Sequence, residues 1–151
     1  MSTDVHRVLV TGATGQIGSE LVPELRRRYG GENVVVGIHR RPPPSDLGSG
    51  PLEKVNVTNK GMVDGVVKEY GIDTIYHMAA ILSVAGEENP WLAWDVNVNG
   101  TYNILEVSRE NSVNRVFIPS SIAAFGPETP RENTPQDTVL KPRTMYGLTK
   151  V

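Results

Sequence analysis

Residues 5–21 read VHRVLVTGATGQIGSEL, and the reading of this stretch decides the fold. Residues 5–11 are rich in β-branched side chains and stop at a glycine, as a buried parallel strand does. From Gln16 the period changes. Ile17, Leu21, Val22 and Leu25 share one face of a helix that runs to Tyr29, carries Pro23 as a local flaw, and stops at Gly30-Gly31. Glycines 12, 15 and 18 stand where the strand turns into the helix. Gly12 permits the tight turn, Gly15 lets the backbone approach a pyrophosphate, and Gly18 lets helix and sheet pack closely. The helix start, with Thr14, Gln16 and Ile17 beside the glycines, offers free N–H groups and a partial positive charge to phosphates. This pattern, set between the first strand and the first helix, predicts a dinucleotide site.

Working outward, strand and helix signals keep alternating. Residues 33–39 (NVVVGIH), 52–57, 72–78 (IDTIYHM) and 115–119 (RVFIP) read as strands. Thr58 is the expected N-cap of a helix carrying Met62, Val63, Val66 and Val67. A long helix is expected over 89–111, with Trp91, Trp94, Val98, Tyr102 and Leu105 at spacings of three and four. Residues 40–50 and the proline-rich 126–142 read as loops. The succession predicts an α/β fold, a Rossmann-type doubly wound parallel sheet with helices on both faces. At 151 residues the chain is read as one dinucleotide-binding domain, 1–151.

Composition narrows the function classes. A formal charge of −2 points to neither nucleic acid nor an anionic membrane surface. The chain has no cysteine, which excludes thiolate nucleophiles and Cys-based zinc sites. No run approaches the roughly 20 apolar residues of a membrane span. A cytoplasmic protein with a small-molecule substrate is the expectation. His6 and His39 lack partners at metal-ligand spacing, so no metal site is expected. His77, at the end of a buried strand, reads as structural. The Trp91/Trp94 stripe reads as core or subunit interface, and Glu87 and Glu88 as solvated charges.

Cofactor choice is decided at the end of the second strand, where a carboxylate would accept bonds from the adenosine ribose. Ile38 stands there instead, followed by His39, Arg40 and Arg41. The two arginines either pair with a 2′-phosphate or are solvated loop charges, so both NAD and NADP are allowed. Further on, Tyr146 and Lys150 place a phenol and an ammonium four residues apart, on one face of a helix. An ammonium beside a phenol favours the phenolate, a base able to take a hydroxyl proton while hydride leaves the same carbon. Ser120-Ser121, just past the fifth strand, lies at the carboxyl edge where such sheets bind ligands.

These stretches together resemble the extended short-chain dehydrogenase/reductase superfamily, and within it the L-threonine dehydrogenases. The likeness is carried by VTGATGQIGSEL, HMAAILSVAGEENPWLAWDVNVNGTYNILE, IPSSIAAFGPETP and KPRTMYGLTK. It implies Ser121, Tyr146 and Lys150 as the catalytic trio, and Ala79, Ala80 and Asn97 as neighbours of the dinucleotide. It also implies that Ser83 holds the substrate together with Ser121 and Tyr146. The implied reaction oxidises the β-hydroxyl of threonine to 2-amino-3-oxobutanoate, in a homodimer when full-length. Members of the superfamily continue past the position of Val151 into a substrate-binding lobe, so this chain alone is expected to show little turnover. Two other readings remain: a nucleotide-sugar epimerase or dehydratase using the same Tyr, Lys and Ser, and a dinucleotide-binding module without catalysis.

Overall fold

The computed structural model describes residues 5–40 and 47–151. They fall into two compact units: residues through Ala79 with Gly100–Ile118, and Ala80–Asn99 with Pro119–Val151.

The first unit contains five parallel strands, β1 (Val8–Thr11), β2 (Val34–Ile38), β3 (Leu52–Lys54), β4 (Thr74–His77) and β5 (Arg115–Phe117). Their order is β3-β2-β1-β4-β5. In register, Val8 lies between Val34 and Thr74, and Thr11 between Gly37 and His77. The unit also holds α1 (Gln16–Tyr29) and α2 (Lys60–Tyr70). The chain moves one way from β1 to β2 and the other way from β3 to β4. With right-handed crossovers, α1 and α2 therefore cover opposite faces. Val8 to Val10 and Val34 to Val36 are accordingly fully buried, as strands of a sheet covered on both sides must be. This is the doubly wound α/β architecture that the alternation predicts.

The helix after Gly15 begins and ends as the sequence predicts, and Pro23 is accommodated within it. α2 differs at its start: Asn59, not Thr58, is the N-cap, its Oδ1 accepting from the Met62 amide. Thr58 instead donates its hydroxyl to Asn56 Oδ1. Asparagine and threonine both cap well, and the Asx bond to Asn56 had already claimed the threonine.

The largest departure lies in 89–111. One helix was expected; the chain forms α4 (Pro90–Trp94), a π-turn (Asp95–Asn99) and α5 (Gly100–Glu110). Of the two readings of the Trp91/Trp94 stripe, core or subunit interface, the structure excludes core. Trp91 is 84 % exposed, and Trp94, Tyr102 and Leu105 are exposed with it. Ala93, Asn97, Gly100, Ile104, Val107 and Ser108 are the buried set. Both faces carry apolar residues at helical spacing, and the small-residue face is the one that permits close backbone packing. The aromatic stripe is therefore not core in this chain.

Arg26 belongs to the core of the first unit although it is charged. Only 8 % exposed, it donates to the carbonyls of Leu47 (2.9 Å), Gly48 (2.5 Å), Pro51 (3.0 Å) and Val34 (3.3 Å). It thus pins residues 47–51, which lead into β3. Burial pushes its guanidinium below the ordinary value. Arg26→Met strands several of these carbonyls, and should lower unfolding free energy by about 3 kcal/mol in urea titration. A loss below about 1 kcal/mol would show that water replaces the guanidinium.

Candidate active site

The first unit supplies the glycine turn. Gly12 has φ +65°, and a Cβ there would sit 2.5 Å from the Ala79 amide nitrogen. At Gly18 a Cβ would stand 2.6 Å from the Ala13 Cα. Both glycines are required by the packing of the chain itself. Gly15 is different: its φ of −81° and ψ of 174° suit any residue, and a Cβ would meet only the Gly12 carbonyl, at 3.2 Å. That is a tight contact, relieved by a shift of a few tenths of an ångström, so the protein's own atoms oppose a side chain here far less than at Gly12 and Gly18. Gly15 is also the N-cap of α1 with no side-chain cap bond, and the first turn carries no acidic residue. The amides of Gln16 and Ile17, both exposed residues, are left to an anion. Bare backbone beside an uncapped helix start fits a pyrophosphate.

The other residues named around the dinucleotide are placed as follows. Ala79 backs Gly12, and Thr14 is half-buried in the turn. Met78 N donates to Thr11 O at 3.1 Å, which continues the β1–β4 pairing to the carboxyl rim where the turn lies. His77 hydrogen-bonds Thr11 Oγ1 through Nδ1 at 2.7 Å and is buried, in keeping with a structural role. Ile38 packs at the margin of the core rather than standing free. Arg40 is exposed, and Arg41 lies outside the described residues.

The second unit holds Tyr146 and Lys150, with Ser120 and Ser121. α6 (Met145–Leu148) is shorter than the sequence suggests. Lys150 follows in a tightened turn, its amide bonded to Gly147 O at 3.0 Å. Its Nζ nevertheless lies 5.7 Å from the Tyr146 ring centroid and donates to Pro119 O at 3.1 Å. Ser120 Oγ donates to Lys150 O at 2.9 Å. Ser121 caps the 3₁₀ turn Ile122–Ala124 by accepting from Ala123 N at 3.2 Å. Its hydroxyl hydrogen is not used in that bond, so Ser121 can donate while Ser120 is engaged on the main chain. Gly147 explains how close these pieces come, since any Cβ there would overlap the Ala123 carbonyl oxygen. Tyr146 and the Ser121 turn are thus neighbours through bare backbone.

Burial lowers the Lys150 pKa from its ordinary value. The unfolded chain therefore binds the proton more tightly than the folded one. Between the lowered folded value and the unfolded value near 10.5, stability rises with pH through this group. Urea midpoints measured across that window should rise less in Lys150→Met than in the parent. Equal slopes would mean the ammonium is fully hydrated.

The helix α3 (Ser83–Glu88) and the bond made by Glu87 are not readable from the sequence of this unit. This short helix precedes α4. Ser83 opens it and is exposed. Glu87, expected to be solvated, accepts from the Met145 amide with Oε1 at 2.6 Å. Asn97 is 4 % exposed. Its Oδ1 accepts from Ile81 N at 2.7 Å, and its Nδ2 donates to Ile81 O and Thr149 Oγ1. It sits in the π-turn, a distortion frequent at functional sites, and braces the C-terminal end of α6. Ala80 heads the same segment. Among the described residues no group of acidic and histidine side chains could hold a metal, and no helix is long and apolar enough to cross a membrane.

Comparison with known proteins places these features. The sequence profile of the NAD dependent epimerase/dehydratase family matches residues 8–151. An uncharacterised epimerase/dehydratase of Staphylococcus saprophyticus is 49 % identical, over 97 % of this chain and 46 % of its own length. Among solved structures, the L-threonine dehydrogenase of Clostridium difficile is similar with a TM-score of 0.91 and 45 % identity, over 96 % of this chain and 46 % of its own. The UDP-glucose 4-epimerase of Thermus thermophilus, in complex with NAD, has a TM-score of 0.83 and 30 % identity, over 95 % and 47 %. The chain spans a little under half the length of each of these proteins.

Proposed function

The chain belongs to the NAD dependent epimerase/dehydratase family, and from that premise we propose that its protein oxidises the β-hydroxyl of L-threonine to 2-amino-3-oxobutanoate. The observation that carries the chemistry is the meeting of Tyr146, Lys150 and the Ser121 turn within one compact unit. The substrate reading rests on the likeness to the threonine dehydrogenase, which exceeds that to the epimerase in both identity and TM-score.

In this reading Gly12, Gly15 and Gly18 with the start of α1 hold the pyrophosphate of NAD or NADP. The bound nicotinamide supplies the hydride acceptor. Ser121 Oγ donates to the substrate hydroxyl oxygen and fixes its orientation. Tyr146, as phenolate, takes the hydroxyl proton as the Cβ–H bond breaks and the carbonyl forms. Lys150 holds its ammonium 5.7 Å from the centre of the phenol ring, fixed there by its bond to Pro119 O. Ser83 is assigned to the amino-acid end of the substrate.

The test is purified full-length protein incubated with threonine and either dinucleotide, following reduced cofactor by absorbance, with calorimetric titration of NAD and NADP. Threonine-dependent reduction supports the proposal. Tightly retained NAD with turnover of a UDP-sugar, and none of threonine, replaces it with the epimerase reading, for which the 30 % identity to that enzyme is the specific support.

A further inference from the structure

The four residues of α6 are too few to hold a helix by their own hydrogen bonds. The position of Tyr146 must therefore be set from outside. At the C-terminal side, Asn97 binds Thr149 Oγ1 at 2.9 Å and Ser120 binds Lys150 O at 2.9 Å. At the N-terminal side, Thr144 Oγ1 accepts from the Gly147 amide at 2.9 Å. The amide of Met145, immediately before Tyr146, is held by the Glu87 carboxylate from 58 residues away in sequence. Gly86 of α3 lies beside this contact, with ordinary van der Waals room for a Cβ. It is buried, and a Cβ on it would stand 3.5 Å from the Ala93 Cβ and 3.9 Å from the Tyr146 nitrogen.

We propose that Glu87 is a positioning residue for Tyr146: by accepting the Met145 N–H it sets where the phenol stands relative to Lys150. The proposal deepens the dehydrogenase reading and rests on it for the identity of the base. Glu87 itself touches neither substrate nor cofactor in this account. What matters is an acceptor at the end of its side chain; the negative charge is secondary.

That distinction makes the idea testable with four variants of the full-length protein: Glu87→Ala, Glu87→Gln, Met145→Pro and the Ala/Pro double. Proline is well tolerated at the first position of a helix, so Met145→Pro removes the donor without breaking the helix start, at the cost of the half-buried Met side chain. Two readouts are taken, kcat with KM for NAD, and amide hydrogen exchange at residues 145 and 146. Glu87→Ala should lower kcat about tenfold, leave KM for NAD within about twofold, and speed exchange at Met145 about tenfold or more. Glu87→Gln, which keeps an acceptor oxygen, should recover most of both. Met145→Pro should match Glu87→Ala in kcat, and the double should be no worse than either single.

Unchanged kcat in Glu87→Ala overturns the proposal, whatever the exchange shows. So does a Glu87→Gln loss as large as that of Glu87→Ala, or losses that multiply in the double. Should the parent protein turn over no threonine, the substrate reading fails separately. The exchange data then decide the positioning: faster exchange in Glu87→Ala with recovery in Glu87→Gln upholds it, and unchanged exchange sinks it.

Discussion

Replacing Tyr146 with Phe should cut the proposed threonine oxidation by about 100-fold to 10,000-fold, the range for removal of a general base. The substitution deletes one hydroxyl from a partly buried ring and leaves α6 and its braces unchanged. NAD affinity should stay within about threefold, so the loss must fall in kcat. Single-turnover kinetics with saturating cofactor would separate the chemical step from binding. A loss smaller than about tenfold would mean that another group takes the proton, and the trio built around Lys150 would lose its central member.

The second large effect separates two glycines only three residues apart. Gly12→Val places a branched side chain at φ +65°, with its Cβ only 2.5 Å from the Ala79 nitrogen. Backbone must move, and the protein should lose more than about 3 kcal/mol of stability, enough to leave much of it unfolded. Gly15→Val has an ordinary extended backbone to occupy, and its Cβ would stand 3.2 Å from the Gly12 carbonyl oxygen, a tight contact relieved by a shift of a few tenths of an ångström. Its stability should change by no more than about 1 kcal/mol. Its affinity for NAD should fall at least about tenfold, because the new side chain covers the backbone on which a pyrophosphate must rest. Urea unfolding and calorimetric titration on both variants are sufficient. If folded Gly15→Val binds NAD as the parent does, the dinucleotide does not lie on this turn.

Legibility in the sequence followed the range of the interaction involved. The strand-turn-helix at 5–29 was readable because its determinants are contiguous: buried β-branched residues, a glycine at positive φ, and a helical apolar face. The helix from Gln16 to Tyr29 needed no correction. Tyr146 and Lys150 stand out by their spacing, but a phenol and an ammonium four residues apart occur on many helices by chance, and the roles proposed for them with Ser121 come from the resemblance. The choice between Ser120 and Ser121 became physical only once each hydroxyl had a partner. The Trp91/Trp94 stripe of 89–111 reads as core or interface alike, because periodicity does not say which of two apolar stripes turns inward. Asn97 lies on the stripe that packs, and no composition rule for cores selects an asparagine.

The sequence by itself determined the parallel α/β order and the strand-turn-helix that carries Gly12, Gly15 and Gly18. Each of these is written in neighbours along the chain, where local backbone geometry and hydrophobic period act. Tertiary structure alone decided that Glu87 grips the Met145 amide, that Asn97 ties Ile81 to Thr149, and that Arg26 gathers four carbonyls. These are hydrogen bonds between distant segments. A polar side chain finds such a partner only after apolar burial has brought the backbone within 3 Å, and no local pattern records which one it will meet.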